Sequence, residues 1–380
     1  MDFDFSPDQR KRADEIRDGV LELLGGPAPD GPQGHFDRDK WRSAARLGLT
    51  GLNLPVEYGG SGLGSLDTAL ALEAFGRGCR DTGLVFGVAA HVLACAVPVR
   101  DFAADEVRAD LLSGLAGGDL ISANAITEDE AGSDVSGMRM TAVPDGDDYV
   151  LDGEKSFSSN APLADLLVTY GVTAPAGGFF SVTGFAVPRH LPGISVSEPL
   201  AKMGLHGCPA GRIRFDSVRV PARFRLGEEG QGRLIFQHSM GWERACLFAI
   251  YVGLMEHQLE RCVEHARRRK QFGQSIGGFQ AVSHRIATMK QRLESARLLL
   301  YRACWLMDAG RDYLAAASLS KITVSESAIA NGIDAVQIFG GAGYLQVTGI
   351  ESQLRDAVPS TIFSGTTEIH RELVAKEAGL

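Results

Sequence analysis

Apolar residues return every three to four positions through the first 120 residues and again beyond Gly230, while the stretch between them follows a period of two. Ser6 followed by Pro7 supplies an N-cap and a proline at the first helical position, and Ile16, Val20, Leu23 and Leu24 continue at helical spacing. Further helical patterns cover 40–47, 66–75, 84–102 and 105–115, interrupted by the glycine-rich run 58–64. From about Leu120, short β-rich runs at 149–151, 166–170, 185–187, 194–196 and 212–215 alternate with turns such as Pro144-Asp145-Gly146. They predict a small antiparallel sheet ending near Pro221. A stripe of Ile286, Met289, Leu293, Ala296, Leu300 and Ala303 then stops at Gly310, and a second runs Leu319, Ile322, Ile329, Ile333 and Val336 before Gly340-Gly341. Long stripes with short connections predict an antiparallel four-helix bundle. The expected class is α+β: an N-terminal helical domain over 1–120, a middle antiparallel β domain over 121–225 and a C-terminal helical bundle over 226–380. No internal repeat or low-complexity segment occurs.

At 380 residues the chain exceeds the ~250–300 residues at which one core stops growing, so several packed subdomains are expected. With 47 acidic and 38 basic residues the net charge is -9, and no long basic run offers a footprint for nucleic acid. Cys79, Cys95, Cys208, Cys246, Cys262 and Cys304 form no C-x-x-C pair, which argues against a metal site and a disulfide framework and for buried, reduced thiols. The start, Met1-Asp2-Phe3-Asp4-Phe5, is acidic, and no uninterrupted apolar stretch reaches the ~20 residues that span a bilayer. A cytoplasmic protein without a membrane partner is expected.

Thr127 to Asp134 joins a strand end to small residues, a pattern that brings backbone N–H groups and the Ser133 hydroxyl to a phosphate or flavin edge; an ordinary turn with Gly132 at positive φ accounts for it equally well. Arg267-Arg268-Arg269-Lys270 by itself reads as a solvated cationic face. No G-x-G-x-x-G follows any predicted strand, so the usual dinucleotide argument is absent. These patterns alone stop at a helical enzyme with a β insert.

Five tracts in order carry more: 55–60 (Pro-Val-Glu-Tyr-Gly-Gly), 126–134 (Ile-Thr-Glu-Asp-Glu-Ala-Gly-Ser-Asp), 153–161 (Gly-Glu-Lys-Ser-Phe-Ser-Ser-Asn-Ala), 269–273 (Arg-Lys-Gln-Phe-Gly) and 337–344 (Gln-Ile-Phe-Gly-Gly-Ala-Gly-Tyr). Together they resemble the acyl-CoA dehydrogenase superfamily along essentially the whole chain. The resemblance implies FAD, contacted by Asn124, Ile126, Thr127 and Ser133, with Ser133 also near the substrate. Where the family carries a tryptophan, a spacer and a threonine against the flavin ring, this chain has Phe157, Ser158 and Ser159. A flat apolar face and a hydroxyl near flavin N5 survive that exchange, but a contact with the usual electron acceptor that needs the indole does not follow. The resemblance further assigns Arg269 to the cofactor pyrophosphate, a task suited to a guanidinium fork, with Gln271, Phe272, Phe279, Gln280, Thr366, Thr367 and Glu368. In the family, Arg269 and the segment holding Gln337, Ile338, Gly340 and Gly341 reach a neighbouring subunit's FAD, which implies a homotetramer.

Desaturating a thioester requires a carboxylate opposite the flavin to remove a weakly acidic α-proton. Ser364 stands where the family usually carries its catalytic glutamate, and a serine hydroxyl without a partnering base cannot do this at neutral pH. Its backbone N–H, and the Gly365 position beside it, remain suited to the thioester carbonyl. Isovaleryl-CoA dehydrogenase and the family's long-chain enzyme place the base in an earlier Glu-Arg pair, matched by Glu243-Arg244. The ordinary fate of a helix glutamate is the surface, but Trp242 and the apolar run 245–250 predict partial burial of Glu243. Burial raises its pKa while Arg244 holds it down. Tracts 123–128, 240–249, 302–305 and 362–366 most resemble the prolyl carrier-protein dehydrogenases, which implies oxidation of a carrier-bound prolyl thioester toward pyrrole-2-carboxyl. The alternatives are a short- or branched-chain acyl-CoA dehydrogenase and a non-catalytic flavoprotein; the electron acceptor is open between an electron-transfer flavoprotein and oxygen.

Overall fold

Ser6 Oγ accepts the Gln9 amide at 3.2 Å while Gln9 Oε1 accepts the Ser6 amide at 3.0 Å, a reciprocal cap that starts helix α1 (Pro7–Leu24). The computed structural model describes residues 4–26, 36–174 and 177–380, so Met1, Asp2 and Phe3 of the acidic start lie outside the described residues. Helices α2 (Arg38–Arg46), α3 (Ser65–Gly78), α4 (Thr82–Ala90), α5 (Val97–Phe102) and α6 (Asp105–Gly117) follow, with a π-helical turn, His91–Ala96, joining α4 to α5. The run Thr82–Phe102 is apolar and long enough to cross a membrane, yet 94% of its apolar 18-residue window is buried inside the fold, so its apolarity serves the core.

The middle strands are β1 (Ser122–Ala125), β2 (Thr141–Asp145), β3 (Asp148–Ser159), β4 (Leu166–Val172), β5 (Val182–Pro188), β6 (Ile194–Val196), β7 (Ala210–Pro221) and β8 (Arg225–Leu226). They pair in the order β6-β7-β3-β2-β4-β5-β8, with β1 beside β4. The sheet is mixed rather than wholly antiparallel: β1 runs parallel to β4 (Ser122 opposite Leu166), and β2 meets β4 in parallel at Thr141 and Val172. The whole β2–β3 hairpin lies between β1 and β4, and a connection that long can return the chain in parallel.

The C-terminal part comprises α7 (Gly232–Trp242), a π-helical turn (Glu243–Leu247), α8 (Ala249–Arg268), the hairpin β9 (Lys270–Gln271) and β10 (Gln274–Ser275), α9 (Gln280–Asp308), α10 (Leu314–Phe339), α11 (Gly341–Tyr344), α12 (Ile350–Ala357) and α13 (Thr367–Glu377). Helix α10 packs on α8, α9, α12 and α13, while α3 lies against α8. One apolar cluster holds Val20 and Phe75 of the first block together with Ile250, Met289 and Leu300 of the last, so the two helical blocks share a core and the sheet stands beside it. The α9 stripe is buried from Met289 to Ala303 as the spacing predicts, apart from the half-buried Ile286. On α10 the bulky stripe only borders the core: Leu319 and Ile333 are exposed, Ile329 and Val336 are half-buried against it, and the fully buried face carries Ala317, Ser320, Val324, Ala328, Gly332 and Ala335. Small side chains let neighbouring backbones approach; a Cβ on Gly332 would stand 3.1 Å from Leu354 Cα. All six cysteines are free and buried.

Candidate active site

Helix α7 ends at Trp242 without a break in the helical path, and the chain continues through a π-helical turn opening at Glu243, a distortion that often marks functional positions. Residues 245–252 are completely buried, and Glu243 itself is 7% exposed. Burial pushes its carboxyl above the ordinary glutamate range, while the Ser364 hydroxyl and the Arg244 charge pull it back.

The partner loop is anchored by Phe363, whose ring stacks on Phe248 and Tyr251 at 5.6 and 6.3 Å and tilts against Phe86 at 4.7 Å. Next to it Ser364 and Gly365 take φ of 56° and 94°. That left-handed turn is strained for serine, and it aims the Ser364 hydroxyl at Glu243 Oε1, to which it donates. The Ser364 carbonyl accepts from Arg244 Nε at 3.1 Å and from His370 Nε2 at 3.0 Å. A carbonyl can only accept, so the His370 proton sits on Nε2, and Nδ1 accepts from the Ser318 hydroxyl at 3.0 Å. Burial pushes the His370 pKa down to about 4, which keeps the ring neutral near pH 7. A Cβ on Gly365 would stand 3.1 Å from His370 Nε2.

The structure thus brings Glu243, Arg244, Ser364 and Gly365 together across some 120 residues of sequence. Sequence reasoning missed His370, Phe363 and Lys321. His370 follows Ser364 by six positions in the same tract, but its two partners lie on different elements, a convergence that periodicity does not reveal. The Lys321 Nζ is buried without an acceptor, 5.8 Å from the Phe248 ring, and burial pushes its pKa down to about 8.

Asn124, Ile126 and Thr127 lie at the end of β1 against the bulge of β3. Thr127 O accepts the Ser156 amide at 2.7 Å, and Ile126 O accepts from the buried Lys155 Nζ at 3.2 Å. The register slips between Lys155 and Ser158, so Phe157 turns to φ 57° and stands 61% exposed. Arg212 lies 5.9 Å over its ring. Ser158 Oγ and Asn124 Oδ1 are buried with no protein partner, a rare state for such atoms. An exposed aromatic face beside two unsatisfied polar atoms fits a flat, hydrogen-bonding ligand such as the flavin of FAD. Ser159 is half-buried next to them, and Ser133 stands exposed on the following turn.

A second group lies elsewhere. Arg269, Gln271, Phe272 and Gln280 are exposed and Phe279 half-buried around the β9–β10 hairpin, with Phe272 and Phe279 edge to face at 6.1 Å. Gln337, Gly340 and Gly341 are exposed nearby, because Phe339 stacks on His265 at 4.2 Å at the end of α8. Ile338 turns its side chain into the core, leaving only its backbone available. Thr366 Oγ1 caps α13 by accepting the Ile369 amide at 3.4 Å, Thr367 is buried, and Glu368 is exposed. No hydrogen bond or ion pair among the described residues joins this hairpin group to Asn124–Thr127 or Phe157–Ser159. No cluster able to hold a metal ion occurs among the described residues.

The chain belongs to the acyl-CoA dehydrogenase family: models of that family's N-terminal, middle and C-terminal domains match residues 6–119, 123–218 and 230–379. Among its relatives is an L-prolyl peptidyl-carrier-protein dehydrogenase of Pseudomonas fluorescens, 54% identical over the full length of both chains. The solved structure of PigA with FAD and proline matches at 41% identity and a TM-score of 0.95, covering 100% of both chains. The prolyl acyl carrier protein oxidase AnaB matches at 37% identity and 0.95, covering 99% of this chain and 100% of its own.

Proposed function

We propose that this protein is an FAD-dependent dehydrogenase that oxidises an L-prolyl group, held as a thioester on a carrier protein, at its α,β positions and onward to pyrrole-2-carboxyl. The observation that carries the reading is the buried Glu243 carboxylate held by the Ser364 hydroxyl at the position of the family's usual base. With Oε1 engaged by Ser364, Oε2 is the oxygen free to take the α-proton. The raised pKa makes Glu243 a stronger base than a solvated glutamate. Bound FAD supplies the hydride acceptor for the β-position. Asn124, Thr127, Ser158 and Ser159 would hold its ring, with the two unsatisfied atoms at Asn124 and Ser158 finding partners there. Arg244 and His370 fix the Ser364 carbonyl and thereby direct the following backbone N–H groups toward the thioester carbonyl. The separation of the Arg269 hairpin from the ring site supports a homotetramer in which one protomer's hairpin and 337–341 segment complete another's FAD site. Six free, buried thiols support a reducing compartment, the cytoplasm.

Glu243→Gln should retain the flavin spectrum while anaerobic bleaching by prolyl-loaded carrier protein slows about a hundred- to ten-thousand-fold. Unchanged bleaching would remove Glu243 from the role of base. Bleaching of the unaltered protein by a short or branched acyl-CoA and not by the prolyl carrier would replace the prolyl reading with the acyl-CoA one.

A further inference from the structure

We propose that Arg233 receives the phosphate at the outer end of the pantetheine arm carrying the acyl group. The inference rests on the thioester reading above and adds the residue that anchors the arm. Arg233 lies in the first turn of α7, ten residues before Glu243 on a continuous helical path. At 1.5 Å per residue the two are about 15 Å apart along the axis, close to the span of an extended pantetheine chain between its phosphate and its sulfur.

The guanidinium is underused where it stands. Its only hydrogen bond among the described residues is a long one, from Nη2 to the Ser136 carbonyl at 3.5 Å, and Nε is enclosed with no acceptor. Other arginines behave differently: Arg212, Arg219 and Arg225 each meet a carboxylate, Asp129 at 2.8 Å, Asp148 at 3.1 Å and Glu228 at 3.1 Å. Asp134 lies within the field of Arg233, but its Oδ1 is engaged by the Ser136 amide at 3.0 Å and by the Ser136 hydroxyl. A fork with spare donors suits a phosphate, which accepts through several oxygens.

Two further features give the arm its direction. Arg233 touches the turn Val135–Gly137 that follows Ser133, so the outer end of α7 meets the loop assigned to substrate. Positions 233, 237, 240 and 244 then recur on one helical face, with Arg233 half-buried and Gln237 exposed at the outer end, Met240 buried, and Arg244 half-buried where its Nε meets the Ser364 carbonyl. Gln237 can donate to and accept from the amides of a pantetheine chain.

The phosphate can belong to a carrier-protein phosphodiester or to coenzyme A, and the test separates the two. Arg233→Ala and Arg233→Lys would be assayed with prolyl-loaded carrier protein, with the acyl-CoA panel and with prolyl N-acetylcysteamine thioester, which ends before the phosphate. The expected result for Arg233→Ala is a KM for the phosphate-bearing substrate raised about ten- to a hundred-fold with kcat little changed, partial recovery in Arg233→Lys, and no change with the truncated thioester. Equal losses on truncated and complete substrates would reveal a structural role and overturn the proposal, as would an unchanged KM. Failure of the prolyl reading is a separate result: the unaltered protein would then oxidise acyl-CoA and not the prolyl carrier, and Arg233→Ala would be judged on acyl-CoA against its own truncated thioester.

Discussion

Ser364, where the family usually carries its glutamate, donates its hydroxyl to Glu243 instead. Its hydroxyl stabilises the ionised form of Glu243, so removing it leaves burial less opposed. With Glu243 in its proposed role as base, Ser364→Ala should therefore shift the acid limb of the kcat profile to higher pH, because the carboxyl then remains protonated further up the scale. A limb that stays in place or moves to lower pH would reject that role. His370 titrates with the opposite consequence. Its pKa in the folded protein, about 4, lies below the ordinary 6.5, so its contribution to stability is present above 6.5 and is lost as pH falls toward 4. His370→Leu should accordingly weaken the fall in stability over that interval, measured by urea unfolding at stepped pH; an unaltered slope would remove His370 from the acid response.

At the scale of elements, close approach replaces bulk. Helices α3 and α8 cross so tightly that a Cβ on Gly253 would stand 2.1 Å from Glu73 O, and one on Gly76 2.3 Å from Ile250 O. Both obstacles are backbone atoms, which cannot turn aside as a flexible side chain would. Gly253→Ala should cost about 3 kcal/mol, at the upper end for an overpacked core, read from the urea midpoint, with no loss in the denaturant slope. A variant as stable as the parent would show that the crossing has slack. The same principle explains α10. Its Leu319–Val336 stripe borders the core through Ile329 and Val336, but the fully buried face is mostly Ala, Ser, Gly and Val, because α10 touches five other helices at once. Large residues mark an apolar face without saying what covers it.

Across the whole molecule, the cofactor residues implied by the family fall into two groups on one chain, with Phe272 fully exposed and Tyr344 and Val347 nearly so. Exposed apolar surface of this kind is typical of contact faces. The homotetramer proposed above carries a consequence. Adding charge at Phe272 and Ile333 (Phe272→Asp with Ile333→Glu) should yield smaller species by sedimentation and protein that loses FAD on gel filtration. A smaller species that still binds FAD at full stoichiometry would overturn the shared-site arrangement.

The fold class, the order of its three parts, the strands at 149–151 and 212–215 and the α9 stripe were legible in the sequence, because periodicity records which side of an element is dry. So were Glu243 and Ser364 as an unusual pair, through the tracts that hold them. Only the tertiary structure decided that the Ser364 hydroxyl points at Glu243, that His370 and Arg244 share its carbonyl, that β1 lies parallel to β4 and that the small face of α10 is the buried one. Each of these depends on where two distant segments meet and in which direction a backbone turns, and a one-dimensional pattern of polarity contains neither quantity.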